Sequence, residues 1–529
     1  MTDVKALSHH ETRNDRSIRL WGAEGQALLE NCKSCFLGVT AATSEVAKNL
    51  ILPGIGEFTI VDDTTVTRRD VGSNFFLDHQ DIGSPSAPSL MRNLKELNPS
   101  SKGKVLEMSP IDLIHKQPKY FESNGFGLVI VSSRVDPDSL RILSELLAGT
   151  QTVIAYVAAV GLLGFLRVQA PTHYVTRKML DEELKIHDLC CFDPFPKLKA
   201  WFDAHHPNDP TLPVDLHSHL PYFLLIHFAV QIFRQERNDP QLIPKAGAEW
   251  KRIREIVTSM IRRKLPNQEN FMEALAKCNA SIHVATRNIP TMRSVMEDVR
   301  TTNPSAGDDI FWFFAHGISK FRAARGAMPC TGDLPDFTCT TGWYTELQSL
   351  FQEKAAEDAA VVLEFVQSAL KTTGRNPEEV SLEVVRGVTK HGWELAVVSY
   401  TLLKDESLVK SVDAIGAGWW AVHSAARRFF ATNLRHPGDC GDEFLEDDRR
   451  KLWSLVDASM VEGAHENVLQ QQSDEMVRYG GGEPVFTAST IGALCAQECI
   501  KIVQHKRVPA AGAVVYDGNS NVTHVVTIL

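Results

Sequence analysis

Short apolar runs at 35–40, 57–62, 127–132 and 152–157 alternate with stretches at 22–31, 44–52, 86–97 and 137–148 whose apolar residues recur at helical spacing. Continuously apolar strands between amphipathic helices predict a parallel sheet covered on both faces. The piece Gly161-Leu-Leu-Gly-Phe-Leu-Arg-Val168 adds a strand entered through a glycine turn. From about 175 to 475 the pattern becomes helical, as in "PYFLLIHFAVQIFRQE", "DDIFWFFAHGISKFRAA", "YTELQSLFQEKAAEDAAVVLEFVQSAL" and "WWAVHSAARRFFATNL". Lys354 and Asp358, four apart, fit an exposed helix face. Loops rich in proline and aspartate at 206–215 and 436–444 punctuate this region.

The last fifty residues return to the opening style. "FTASTIGALCAQECIKIVQHK" has one apolar helical face, and "AVVYDGNSNVTHVVTIL" reads as two strands about a Gly-Asn turn. Two chain ends of one style, with helices between them, predict one sheet domain interrupted by an insertion. The segments expected are 1–170 and 481–529 for the sheet domain and 171–480 for the helical insert.

Composition narrows the class. With 529 residues, 43% hydrophobic and 23% charged, the chain exceeds one ordinary domain and can bury large cores. A net charge of −10 argues against a nucleic-acid surface. No apolar run approaches about 18 residues, so no membrane span is expected. The polar N-terminus "MTDVKALSHHETRNDRS" does not read as a secretory signal, and ten cysteines without one are expected as reduced thiols in cytoplasm or nucleus. There is no internal repeat and no low-complexity tract.

The candidate chemistry begins at "FLGVTAATSEVAKNL", Phe36 to Leu50. A strand, a turn, a helix and a second strand ending in Asp62 follow the layout of a nucleotide-binding βαβ unit. Yet the turn holds one glycine, Gly38, where three are expected.

Several stretches then converge. "DRSIRLWGAEGQALLENCKSCFLG", "KNLILPGIGEFTIVDD", "GSNFFLDHQDIG", "DPFPKL", "LQSLFQEKAAEDAA" and "GALCAQECIKI" resemble, in order from Asp15 to Leu529, the regulatory-subunit family of the heterodimeric neddylation-activating enzyme, within the ubiquitin-activating superfamily. The helical insert matches more patchily. The fold class this implies is α/β: a Rossmann-like, adenylation-type domain with a degenerate site, interrupted by a large, mainly α-helical insert.

Active members of the superfamily adenylate a C-terminal carboxylate, using a glycine turn, an acid for the ribose, an Asn-Leu-x-Arg-Gln run, a lysine and a magnesium-binding aspartate. Here Thr40, Ala41, Ala42 and Thr43 fill the turn. The acid survives as Asp62 or Asp63, and Asn74 survives. The arginine and glutamine places read Leu77 and Asp78, the lysine places Ser84 and Ser86, and the magnesium aspartate place Arg134-Val135. Losing three or four charge-assisted bonds of ~1.5–3 kcal/mol each removes ~5–10 kcal/mol of nucleotide affinity. The resemblance therefore implies no cofactor on this chain, with ATP and magnesium held by a catalytic partner subunit and the βαβ frame kept as a pairing surface.

The resemblance also assigns Arg16, in Asn14-Asp-Arg-Ser-Ile-Arg19-Leu-Trp21-Gly22, to the partner's ATP, in trans. Asn14 and Ser17 depart from the family's aromatic and glutamine at those places. A solvated cation or an interface salt bridge is the alternative for Arg16 and Arg19.

Other signals have plainer readings. Cys330, in Met-Pro-Cys-Thr-Gly-Asp-Leu-Pro335, imitates a thioester cysteine but is expected in an ordered loop. His205, His206, Asp209, His217 and His219 match no zinc module, and Cys32 and Cys35 form a lone C-x-x-C. Gly416-Ala-Gly418 reads as a helix start, Gly54-Ile-Gly56 as a turn into the second strand, and Phe311-Trp-Phe-Phe314 as core.

The expected partners are the catalytic subunit and the ubiquitin-like modifier, with the helical domain walling one side of the modifier cleft. Two rivals remain open, a self-sufficient adenylating enzyme and a stand-alone scaffold; an NAD-dependent oxidoreductase is disfavoured because the turn lacks the G-x-G that brings a pyrophosphate close and no hydride-transfer constellation is evident.

Overall fold

The computed structural model describes residues 9–176, 188–244, 247–262, 268–286, 290–404, 409–410, 413–461, 463, 465–505 and 507–528. The chain folds as two compact units, Met1–His173 with Val398–Leu529, and Tyr174–Val397.

The first unit is built on a sheet of nine strands among the described residues: β1 (Lys33–Leu37), β2 (Glu57–Val61), β3 (Lys102–Leu106), β4 (Leu128–Val131), β5 (Val153–Val160), β6 (Leu163–Gln169), β7 (Val409–Lys410), β8 (Ala513–Asp517) and β9 (Val522–Ile528). Their order is β3-β2-β1-β4-β5-β6-β8-β9-β7. The first five pair in parallel, and β6 onward in antiparallel. The expected strands are present. The sequence pattern missed β3, whose Lys-Gly-Lys-Val-Leu is polar because it lies at the sheet edge, where lysines keep the open backbone groups from pairing with another chain.

Successive strand side chains point to opposite faces. Cys35, Leu37, Val129, Val131, Ile154 and Tyr156 enter one core and Phe36, Phe58, Ile60, Leu128 and Ile130 the other. The helices that frame the sheet and its crevice include α1 (His9–Glu30), α2 (Ala41–Ile51), α3 (Ala414–Asn433), α4 (Glu466–Tyr479) and α5 (Val485–Gln504). α2 and α5 cover the second face, while α3 and α4 cover the first through Trp420, Phe429, Leu469 and Met476. The sheet unit therefore resumes at Val398 and not near 481. Helical periodicity in 414–479 identified the helices but carried no information on which core they cover.

The second unit is helical. One of its cores gathers Phe202, Phe223, Phe233, Ile253 and Phe271, and the other Phe311, Phe313, Phe321, Val362, Val366 and Leu370, so the Phe311–Phe314 run is core as expected. Its longest helix, Thr341–Thr372, carries Lys354 and Asp358 as an ion pair, but the aspartate is buried and accepts the Cys330 N–H at 3.0 Å. No helix among the described residues is long and apolar enough to cross a membrane.

Candidate functional site

The chain runs from β1 to β2 and β3 on one side and from β4 to β5 on the other, so the sheet order reverses between β1 and β4. A crevice beyond the carboxyl ends of the strands at such a reversal is where open α/β sheets bind ligands. The turn after β1, the strand end at Asp62 and the segment Ser132–Arg134 all lie there.

Gly38 supports the turn. Its φ of +92° suits glycine, and a Cβ would stand 2.2 Å from the Ser132 hydroxyl oxygen. Thr40 and Thr43 form a reciprocal cap on α2, in place of the glycines that would let a polyphosphate approach the backbone.

Donors that would face a phosphate are already engaged within the protein. The Val39 N–H donates to Asp62 Oδ2 at 2.7 Å, and the Thr40 N–H to the Thr43 hydroxyl at 2.9 Å. The Ala41 N–H donates to Glu483 Oε2 at 2.8 Å, and the Thr43 N–H to the Thr40 hydroxyl at 3.2 Å. Glu483 arrives from the start of α5, and its Oε1 accepts the Ser133 hydroxyl at 3.4 Å. Burial pushes the Glu483 carboxyl up from its ordinary value, against the Ala41 N–H and the charge of Arg134.

Asp62 and Asn74, the two survivors of the sequence pattern, are structural here. Asp62, buried, also accepts the Thr64 N–H at 2.7 Å. Asn74, buried, donates to the Ser44 hydroxyl at 2.8 Å and accepts the Phe76 N–H at 3.0 Å. Arg134 donates to Thr64 Oγ1 at 2.8 Å and to Asp70 Oδ1 at 3.0 Å, with Asp62 Oδ2 at 3.8 Å. A guanidinium thus stands among the carboxylates at the place where the resemblance calls for a magnesium aspartate. These residues do not fit a bound nucleotide with its metal.

The comparisons bear on the fold and the family. The ThiF family model matches residues 13–130. The chain is 31% identical to the NEDD8-activating enzyme E1 regulatory subunit of Danio rerio over 98% of both chains. It is 32% identical to that of Xenopus laevis over 93% of this chain and 94% of the relative. The chain belongs to the family of NEDD8-activating enzyme E1 regulatory subunits. The subunit AXR1 of Arabidopsis thaliana is 29% identical over 96% of this chain and 94% of its own length.

Arg16 sits in this regulatory-subunit chain inside α1, not before the first helix; the helix starts at His9 and breaks at Gly22, with φ 77°. Its side chain is exposed and pairs with no carboxylate among the described residues, whereas Arg19 is held by Asp15 at 3.0 Å. Asn14 is buried and donates to Glu30 Oε1 at 2.9 Å.

The remaining candidates separate. Burial pushes the Cys330 thiol up to about 12. Cys32 and Cys35 belong to the cores on opposite faces of the sheet. His205 stacks on Trp201 at 4.0 Å, His217 packs on Phe271 at 5.2 Å, and Asp209 binds Thr211. Among the described residues no three His, Cys, Asp or Glu side chains group to hold a metal. Gly416 and Gly418 lie in α3, where added Cβ atoms would meet His524 at 2.4 Å and Gln472 at 2.2 Å. They permit close packing and cradle no phosphate. Gly56 likewise lets the second strand pass the Glu30 carbonyl oxygen, which its Cβ would meet at 2.0 Å.

Glu483 is the site residue that sequence reasoning missed. The available signal was the run Gly480-Gly481-Gly482 before Glu483-Pro484, a glycine loop that brings an acid to a close approach.

Proposed function

We propose that the chain works as the non-catalytic half of a two-chain activating enzyme for the cullin-modifying ubiquitin-like protein. In this reading the catalytic subunit binds ATP and magnesium, adenylates the modifier's C-terminal glycine and takes it as a thioester on its own cysteine. This chain completes the adenylation pair and supplies part of the surface that the modifier meets, in cytoplasm or nucleus. The observation that carries the reading is the turn after β1, where Asp62, Thr40, Thr43 and Glu483 already hold the N–H groups a phosphate needs.

Arg16 is the residue offered to the partner. An exposed guanidinium on a helix face, without a carboxylate partner among the described residues, is free to meet charge developing on the partner's phosphates.

Titration calorimetry of ATP with magnesium into this chain alone tests the first part. The expected result is no binding at millimolar nucleotide; micromolar binding favours the self-sufficient enzyme. For the second, Arg16→Ala is expected to slow modifier-dependent ATP–pyrophosphate exchange by the reconstituted pair without dissociating it. Unchanged exchange removes the in-trans role.

A further inference from the structure

The lost glycines account for only part of the closed site. α2 still points its N-terminus at the crevice, and a helix N-terminus carries partial positive charge and unpaired N–H groups. An anion of the chain itself already sits there. Glu483 is separated from Ala41 by 442 positions in sequence, yet its carboxylate accepts the Ala41 N–H at 2.8 Å.

The loop that delivers it is shaped for the task. Gly480 has φ 58° and ψ −148°, a combination open to glycine. A Cβ on Gly481 would stand 2.5 Å from the His436 ring. The Gly482 carbonyl accepts the Gly161 N–H at 2.8 Å, and Pro484 then starts α5. Glycines absent from the nucleotide turn are present in the loop that occupies it.

Charge completes the picture. Asp62 and Asp70 face Arg134, whose charge also acts on Glu483. Arg69, beside the loop at Gly481, is paired with Asp439 at 2.7 Å. Three carboxylates around one guanidinium repel a phosphate, and Glu483 is the one seated on the helix end.

We propose that Glu483 is a tethered anion that takes a phosphate's place at the N-terminus of α2, and that this carboxylate keeps phosphate ligands out of the crevice. The proposal rests on the reading of the site as closed to nucleotide, and it assigns the closure to one residue. It makes the site a latent anion site with an intramolecular occupant.

The test is binding of inorganic pyrophosphate, by calorimetry, to the full chain and its variants. Glu483→Ala frees the Ala41 N–H and the Ser133 hydroxyl and removes one negative charge. It is expected to bind pyrophosphate about tenfold or more tightly than the wild-type chain, because like-charge juxtaposition costs kilocalories. Adding Arg134→Ala is expected to abolish the gain. A folded Glu483→Ala chain that binds no better than wild type overturns the proposal, as does a gain that survives the loss of Arg134. Should the alanine variant not fold, Glu483→Gln keeps the volume and removes the charge. A gain of about threefold is expected there, and no gain overturns the proposal. The two readings fail separately: tight ATP binding by the wild-type chain ends the closed-site reading. Silent wild-type and variant chains end only the assignment to Glu483.

Discussion

Asp62 stands where a nucleotide-binding fold keeps an acid for the ribose, and here it is spent on the backbone. Replacing it by alanine leaves the Val39 N–H, in a residue 3% exposed, without its acceptor at 2.7 Å. It also releases the Thr64 N–H, likewise bonded at 2.7 Å, which solvent reaches in part. An unsatisfied buried donor costs about 1–3 kcal/mol and a partly compensated bond about 0.5–1.5 kcal/mol. The sum is about 2–4 kcal/mol, taken from the first unit alone. Hydrogen exchange followed by mass spectrometry on the segment from β1 through Val66 reads this locally. At 1.4 kcal/mol per factor of ten, exchange in Asp62→Ala speeds up by about 30- to 700-fold. Asp62→Asn, which keeps an acceptor oxygen, is expected to lose less. An acid held in reserve for a ligand behaves in the opposite way, since removing it relieves repulsion with Asp70. Unchanged or slower exchange in Asp62→Ala therefore refutes the structural role.

Gly38→Ala forces a Cβ to 2.2 Å from the Ser132 hydroxyl at a φ of +92°, and about 2–4 kcal/mol of stability is expected to go, read as a lower urea midpoint; an unchanged midpoint contradicts this. Burial alone would raise the pKa of the fully buried Asp448, but its two bonds to Arg435 at 2.6 and 2.7 Å and the Gly438 N–H hold it below the usual carboxylate range. That stability is present above the unfolded value of about 3.9 and is lost as pH falls through the depressed folded value. The melting temperature of wild type should thus fall more steeply than that of Asp448→Asn below about pH 4, and parallel curves contradict it. Cys330→Ala is expected to leave thioester formation by the reconstituted pair intact, because a buried thiol with its pKa near 12 is not a nucleophile at neutral pH; loss of the thioester would reinstate Cys330.

Much of the sheet was legible because parallel strands buried on both faces leave uninterrupted apolar runs. β3 was not, since an edge strand carries the polar residues of a surface. Helices at 414–479 were visible by period, but period does not name the surface a helix covers, and Trp420 and Phe429 go to the sheet. At the site, Gly38, Asp62 and Asn74 were legible as the remnant of a nucleotide motif. Their present partners were not, because Asp62 bonds a neighbouring turn and Asn74 a hydroxyl of α2. Glu483 lay furthest from view, since its partner is the first turn of a helix at the other end of the chain. Arg16 was legible as a cation ahead of the helix predicted from residue 22, and the structure places it in a helical segment that starts at His9 and is broken from that helix at Gly22.

The proposed role has this chain complete a catalytic centre that it does not itself contain. ATP–pyrophosphate exchange, driven by the ubiquitin-like modifier and measured with each subunit alone and with both, tests that role most directly. Exchange is expected only when both chains are present, and is reduced by Arg16→Ala in this one. Exchange by this chain alone, or full exchange by the catalytic subunit without it, would contradict the role.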